Sequence, residues 1–340
     1  MTLDGERYVL HLSQEDVRGL VSYPEVIEAV EDGMRQQADG GAQSVERINL
    51  PLGPGKPNDP FSRMFGHSAM SIWMAGSTDR GGTIRSLSAG GGIALYVDET
   101  GTPAAIIDFP LLQLYRTGAA AAIATKYFAR PDSRRFAMLG SGRFGRATLA
   151  AHVAMMDIDE VRNYSPNQQH RAEFASEIQS EFQLNIAPAD SAEEAVADAD
   201  VIIVCTDLNG QNDPPGLIGE WLRPGVHVTA NGGANELDPT VYQRASRVVV
   251  DDLEEIKQQI WDIKRAVEEG VLSWEQVDEL PHVVAGRCPA RVDPDEITVV
   301  RNRGNGVQDL FPTAAIYRKA LETGTGTDIG QLVAPSRPRS

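Results

Sequence analysis

An α/β chain is predicted here, a Rossmann-type doubly wound parallel sheet joined to a β-rich α+β domain, on three observations. First, residues 136–147 read FAMLGSGRFGRA, a short apolar run that enters a glycine-rich turn and leaves it as an alanine-rich helical pattern. Second, from there to about residue 270 strand and helix patterns alternate, as in a sheet with helices on both faces. Third, residues 61–107 carry short β runs broken by glycine and polar residues.

Taken in order, residues 8–12 read as a short strand, and helical patterns opened by Ser13 or by Tyr23 and Pro24 run to about residue 37. Residues 47–52 are strand-like and 53–60 are a loop. Runs at 68–74, 83–88 and 92–97 follow, and a turn at 98–101 leads into a hairpin partner at 103–108. Residues 111–129 form a long alanine-rich helix. Beyond the glycine turn, strands are expected at 160–164, 201–205, 226–230 and 248–250, with an extended piece at 184–188. Helices are expected at 170–183 and 191–197, and one amphipathic helix at 253–270. Residues 118–304 make the Rossmann domain, and 1–117 with 305–330 make the other, the last helix returning to it. Residues 331–340 read as a disordered tail.

In the turn, each glycine has a task. Gly140 allows the tight turn, Gly142 lets a pyrophosphate approach the backbone, and Gly145 lets helix and strand pack closely. The free N–H groups of Ser141, Gly142, Arg143 and Phe144 and the positive end of the helix dipole then face the phosphates. An ordinary glycine-rich βα turn is the alternative in a chain with 32 glycines.

The 340 residues are 41% hydrophobic and 23% charged, with a net charge of −17. That balance excludes nucleic acid and anionic membrane surfaces as expected partners, since both need a basic face. Cys205 and Cys288 lack CxxC spacing, so no disulfide framework and no metal site is indicated. The N-terminal residues lack a basic start and an apolar core, and no run approaches bilayer-spanning length. A cytoplasmic location is the default.

The block DETGTPAAIIDFPLLQLYRTGAAAAIATKYFAR at 98–130, directly before the fingerprint, resembles the ornithine cyclodeaminase/μ-crystallin family. VIIVCTDLNG (201–210), HVTANGGANELDP (227–239), ELPHVVAGRCPAR (279–291) and GNGVQDLFPTAA (304–315) are similar to the same family. The resemblance spans about residues 10–330, and the Arg-Thr-Gly-Ala signature at 116–119 is its most specific part. It implies a homodimer joined through the non-Rossmann domain. It implies an NAD(P)-dependent oxidoreductase that moves a hydride between nicotinamide and the α-carbon of a small amino acid or its imine. An ornithine- or lysine-type cyclodeaminase releasing ammonia, and a non-catalytic NADP-binding protein like μ-crystallin, are the alternatives.

Such a protein must hold a carboxylate. Arg116 is the first choice, because a guanidinium fork matches two carboxylate oxygens and stays charged. The resemblance places it at the family's carboxylate-binding arginine; a capping or interdomain ion pair is the alternative. Arg47 matches a second substrate-side arginine, with a surface arginine as the alternative, and Thr117 would face the cofactor phosphates. Asp309 matches a family aspartate near the site, with an N-cap for the last helix as its other reading.

Two departures from the family pattern stand out. Where its members place a lysine before Ala-Gly, this chain has Met74, and Arg85 on a neighbouring strand is the candidate replacement charge. Where they carry Gly-x-Asp, the segment is shortened and Asn235 stands at the aspartate. An amide cannot act as a carboxylate base. Glu236 supplies a carboxyl group only if the loop turns it inward, and a helix-start glutamate is the ordinary explanation. His67 is the candidate proton donor of the β-rich domain, or else a structural histidine.

Cofactor choice is read at the end of the second Rossmann strand, residues 163–171. No acidic residue is present there to grip ribose hydroxyls, and Ser165, Asn167 and Arg171 are candidates for a 2′-phosphate. NADP is therefore preferred, with NAD possible. Cys205, Thr206, Asn231 and Gly232 are expected to line the nicotinamide side, because ligands bind at strand carboxyl ends.

Overall fold

The computed structural model describes residues 8–51, 69–88 and 91–332. The chain divides into two compact units, Met1–Gln113 with Asn305–Ser340, and Leu114–Gly304. Arg116 and Thr117 fall in the second.

The first unit is built on a seven-stranded sheet of order β15-β1-β6-β5-β4-β3-β2. Its strands are β1 (Leu10–Leu12), β2 (Ala42–Pro51), β3 (Ala69–Ser77), β4 (Gly81–Ser88), β5 (Gly91–Val97), β6 (Pro103–Asp108) and β15 (Thr327–Asp328). The β2 to β6 strands pair antiparallel, so successive side chains alternate between two faces. One face carries buried Ala75, Thr83, Arg85, Ala94 and Tyr96. Helices α1 (Gln14–Leu20) and α2 (Tyr23–Asp39) lie between β1 and β2 in the chain, and α11 (Gly306–Thr323) packs on α2 and on β2 to β5. Gly33 permits that approach: a Cβ on it would lie 2.9 Å from the Phe311 ring.

The second unit is an eight-stranded, wholly parallel sheet of order β13-β12-β14-β11-β10-β7-β8-β9. Its strands are β7 (Arg135–Leu139), β8 (Glu160–Tyr164), β9 (Ile186–Pro188), β10 (Val201–Val204), β11 (His227–Ala230), β12 (Arg247–Val250), β13 (Val277–Glu279) and β14 (Thr298–Arg301). Central strands such as Val201–Val204 are buried throughout, the mark of a parallel sheet covered on both faces. Strand order reverses between β7 and β10, the crevice where such sheets bind ligands.

Helix α3 (Pro110–Phe128) packs its Ala119 to Ala124 side chains fully inward. Gly118 on it meets α4 (Arg143–Val153), where a Cβ would lie 2.5 Å from the Ala147 carbonyl oxygen. The Arg-Thr-Gly-Ala signature thus owes its glycine to a close helix–helix approach.

One expectation is overturned and one central strand is new. The helix expected at 253–270 is two helices, α8 (Leu253–Gln259) and α9 (Trp261–Glu268), separated at Ile260 by extended backbone. The break is held by Trp261 N and Asp262 N, which donate to the Ala234 carbonyl at 2.8 and 3.2 Å. Strand β14, with no counterpart in the sequence reading, lies between β11 and β12 and completes the centre of the sheet. The remaining helices of this unit are α5 (Gln168–Phe182), α6 (Ala192–Val196), α7 (Pro239–Arg244) and α10 (Leu280–Val284).

Candidate active site

The glycine turn joins β7 to α4 at the reversal of strand order. Gly140 has φ +113°, and a Cβ there would lie 2.1 Å from the Cys205 carbonyl oxygen, so only glycine fits. Gly145 is closely but less tightly placed: a Cβ would lie 2.8 Å from the terminal methyl of Met138 and 3.0 Å from the Gly140 carbonyl oxygen. Gly142 differs. It is the N-cap of α4, with φ −85° and nothing within 4 Å of a Cβ. Two glycines are needed for packing, and the third keeps open the space before the helix N-terminus.

Unsatisfied polar atoms in this unit fit a dinucleotide along that edge. Ser141 Oγ is buried without a hydrogen-bond partner beside the helix start. Asn231, at the end of β11, donates through Nδ2 to Thr148 Oγ1 at 2.9 Å, while its Oδ1 is buried without a partner. Buried polar atoms are rarely left so, and a bound polar ligand is one explanation. Arg143 is exposed and lies over the Phe144 ring, and Thr117 is buried on α3. A bound nicotinamide would supply the hydride acceptor or donor.

At the end of β8, Asn167 caps α5 by accepting from His170 N at 3.1 Å. Arg171 lies within α5, its guanidinium 5.3 Å from the Tyr164 ring centre and donating to the Ser165 carbonyl at 3.0 Å. These three residues are brought together, and no carboxylate from 163–171 joins them.

Across the neighbouring strand ends lies an ionic network that sequence reasoning missed. Glu236 is turned inward and fully buried; Asp238, and not Glu236, caps α7. Glu236 Oε1 accepts from Thr206 N at 2.6 Å and Thr206 Oγ1 at 2.8 Å, and Oε2 from Gly232 N at 2.9 Å. Arg301, from β14, approaches Oε2 at 3.2 Å and pairs with Asp262 at 3.1 Å. Asp262 also accepts from Tyr242 Oη at 2.7 Å and Glu236 N at 2.8 Å. Burial pushes the Glu236 carboxyl up, to about 7, while Arg301 and the Thr206 and Gly232 donors pull it down. Burial also pushes the Cys205 thiol far up, so it is neutral and unreactive.

Asn235 is also committed. Its Nδ2 donates to the Gly210 and Asp213 carbonyls at 2.9 and 3.1 Å, and its N to Leu208 O at 2.8 Å. The shortened 233–237 segment is thus bound to the 206–217 loop, and the Asn235 side chain holds that loop. This is the physical reason not to count Asn235 among groups that handle a proton.

Arg116 is buried at 4% exposure on α3, with its guanidinium against Gly304. A Cβ on Gly304, whose φ is +83°, would lie 1.9 Å from Arg116 Nη1. The Asp251 carboxylate fixes that backbone by accepting from Arg303 N at 3.0 Å and Gly304 N at 2.6 Å.

In the first unit, two candidates meet. Arg85 and Asp309 form a fully buried ion pair at 2.9 Å, with the Arg85 guanidinium 4.2 Å from the Phe109 ring centre. Asn305 is the N-cap of α11, accepting from Gln308 N at 3.1 Å, which removes the capping reading of Asp309. Arg85 does not stand in for Met74. Met74 pairs with Ile84, so it shares the opposite sheet face, where Ile84 is exposed. Arg47 lies in β2, where the register shifts between Val45 and Ile48. His67 lies outside the described residues.

A cavity of about 500 Å³ lined by residues including Arg130, Pro224, Arg291 and Asp295 is at the amino ends of the strands, away from the glycine turn. Its arginines are committed, Arg130 to Asp200 and Arg291 to the Phe128 and Glu296 carbonyls.

The ornithine cyclodeaminase/mu-crystallin family model matches residues 8–324. The chain belongs to this family. It is 31% identical over 330 residues to an alanine dehydrogenase of Archaeoglobus fulgidus, covering 94% of this chain and 98% of that one. The Thermococcus litoralis Δ1-pyrroline-2-carboxylate reductase, solved with NADH and L-proline, superposes with TM-score 0.83 at 29% identity, covering 94% and 100%. An archaeal alanine dehydrogenase dimer with bound NAD gives TM-score 0.83 at 29% identity, covering 94% and 98%. The Rossmann-type fold expected from the sequence is the fold observed. Among the described residues no helix is long and apolar enough to cross a membrane.

Proposed function

We propose that this chain is a nicotinamide-dependent oxidoreductase that moves a hydride to or from the α-carbon of a small amino acid or its imine. The observation that carries this reading is the glycine turn: Gly140 sterically required, Gly145 closely packed, Gly142 open, and Ser141 Oγ orphaned at the helix start. The relatives named as alanine dehydrogenase and pyrroline-carboxylate reductase support the substrate class. Met74 on the exposed sheet face and Asn235 committed to a loop favour reduction of a preformed imine over cyclodeamination, which needs a further group for the amine proton. Arg116 is the proposed carboxylate ligand. Spectrophotometric assay of NADH and NADPH oxidation with cyclic and α-keto-acid-derived imines tests the proposal. A coupled ammonia assay with ornithine and lysine tests the cyclodeaminase alternative.

NADP is the proposed cofactor, supported by the absence of a carboxylate at 163–171 and by Arg171 beside Ser165. Ser165→Asp is expected to shift preference toward NAD, because a carboxylate repels a 2′-phosphate and accepts from ribose hydroxyls. The ratio of Michaelis constants for NADP and NAD measures it. A ratio equal to the parent's would place the 2′ position elsewhere.

The proposed assembly is a homodimer. Val45, Ile48, Ile84 and Ile93 are 50%, 45%, 42% and 54% exposed, and cross-strand pairing puts them on one face of the first sheet, opposite α11. An apolar face of this kind marks an interaction surface. The double variant Ile84→Lys with Ile93→Lys is expected to raise the dimer dissociation constant at least about 100-fold, since an interface would bury two unpaired charges. Light scattering across a concentration series reads it, and an unchanged dimer would move the interface off this face.

A further inference from the structure

Glu236 belongs to neither the glycine fingerprint nor the carboxylate site, yet it ties together two strand ends. Through Thr206 it holds the residue two beyond β10, and through Gly232 the second residue beyond β11. The three contacts use both carboxylate oxygens, and Arg301 fixes the carboxylate from behind while pairing with Asp262. Gly232 has room for no side chain: a Cβ would lie 2.4 Å from the Thr206 carbonyl and 2.6 Å from Glu236 Oε1. A helix-start glutamate needs none of this.

In the strand order β7-β10-β11 the glycine turn ends the first strand, and Thr206 and Gly232 follow the second and third. At about 4.8 Å between strands, Gly232 lies roughly 10 Å across the sheet edge from the pyrophosphate position. A dinucleotide seated at the turn with its adenosine on the β8 side places its nicotinamide half on the β10 and β11 side.

We infer that Glu236 is a positioning residue for the nicotinamide half of the cofactor, setting the backbone of Thr206 and Gly232 on which that half rests. The inference depends on the dinucleotide reading above. Its experiment compares NADPH with 2′-phospho-ADP-ribose, which keeps the pyrophosphate and the 2′-phosphate and lacks the nicotinamide. In Glu236→Gln the amide nitrogen must face either the Thr206 N–H, at the Oε1 position, or the Gly232 N–H and Arg301, at the Oε2 position, and each of these is a donor.

By calorimetry, Glu236→Gln is expected to weaken NADPH at least about 10-fold and leave 2′-phospho-ADP-ribose within about 2-fold of the parent. Thr206→Val, which removes only the hydroxyl contact, is expected to weaken NADPH less and in the same selective way. If Glu236→Gln does not fold, the Thr206→Val comparison decides. Equal loss of both ligands, or no loss of either, overturns the inference by reducing Glu236 to a general structural charge. A parent protein that binds neither ligand overturns the dinucleotide reading instead.

Discussion

Gly142→Asp is expected to abolish dinucleotide binding and leave the fold intact. The backbone there, at φ −85° and ψ 178°, is open to any L residue, and a Cβ meets nothing within 4 Å. Aspartate is also a slightly better N-cap than glycine, by a few tenths of a kcal/mol, so helix α4 loses nothing in the empty protein. The new carboxylate then occupies the space and the helix dipole that a pyrophosphate would use. The expected result is at least a 100-fold loss of NADPH affinity, about 2.7 kcal/mol, with an unchanged or slightly raised melting temperature. Gly140→Ala is the contrasting control. At φ +113° and 2.1 Å from the Cys205 carbonyl, that alanine strains the turn and lowers stability as well as binding. Normal NADPH binding by Gly142→Asp would mean that the turn is only a packing motif.

Replacing Arg116 is expected to be the most damaging change for substrate. A buried guanidinium exchanging a bidentate pair with a carboxylate in a dry site is worth about 2 to 5 kcal/mol, against under about 1 kcal/mol for an exposed pair. Arg116→Ala should therefore lower kcat/KM by roughly 30-fold to several thousandfold, and Arg116→Lys less, since lysine keeps charge and loses the fork. Cofactor affinity should stay near the parent's in both. Gly304→Ala should mimic part of the effect, because its Cβ would collide with Arg116 Nη1 at a φ of +83°. Parental kcat/KM in Arg116→Ala, or a protein that does not fold, would make the arginine structural.

What the sequence revealed, and what it hid, follows the range of the interactions. The glycine turn was legible because its pattern is local, three glycines in one stretch between a strand and a helix, although the clash that excludes a Cβ at Gly140 comes from Cys205 just beyond β10. The alanine-rich helix before it was legible by composition, and the two-residue alternation gave the first sheet. Strand β14 escaped because it carries a charge, Arg301, in an apolar run, and only Glu236 and Asp262, distant in sequence, make that charge tolerable in a buried strand. The break at Ile260 escaped for the same reason: the periodicity of 253–270 is helical, and the interruption serves to bring Asp262 to the Glu236 backbone. Glu236 read as a helix-start residue because Glu-Leu-Asp before proline suits one, whereas Asp238 fills that role. The tie between the 233–237 segment and the 206–217 loop shows only when both are seen hydrogen-bonded together.

The central claim, hydride transfer between a nicotinamide cofactor and an α-imino or α-amino acid, is tested most directly by one measurement. Purified protein is mixed with reduced cofactor and a cyclic or α-keto-acid-derived imine, and oxidation of the cofactor is followed with the Gly142→Asp and Arg116→Ala proteins in parallel. The account predicts imine-dependent cofactor oxidation in the parent, lost in Gly142→Asp through cofactor binding and in Arg116→Ala through substrate binding. Tight cofactor binding by the parent with no oxidation across the imine panel, and none of the reverse reaction with the corresponding amino acids, would contradict it and leave a cofactor-binding protein without turnover.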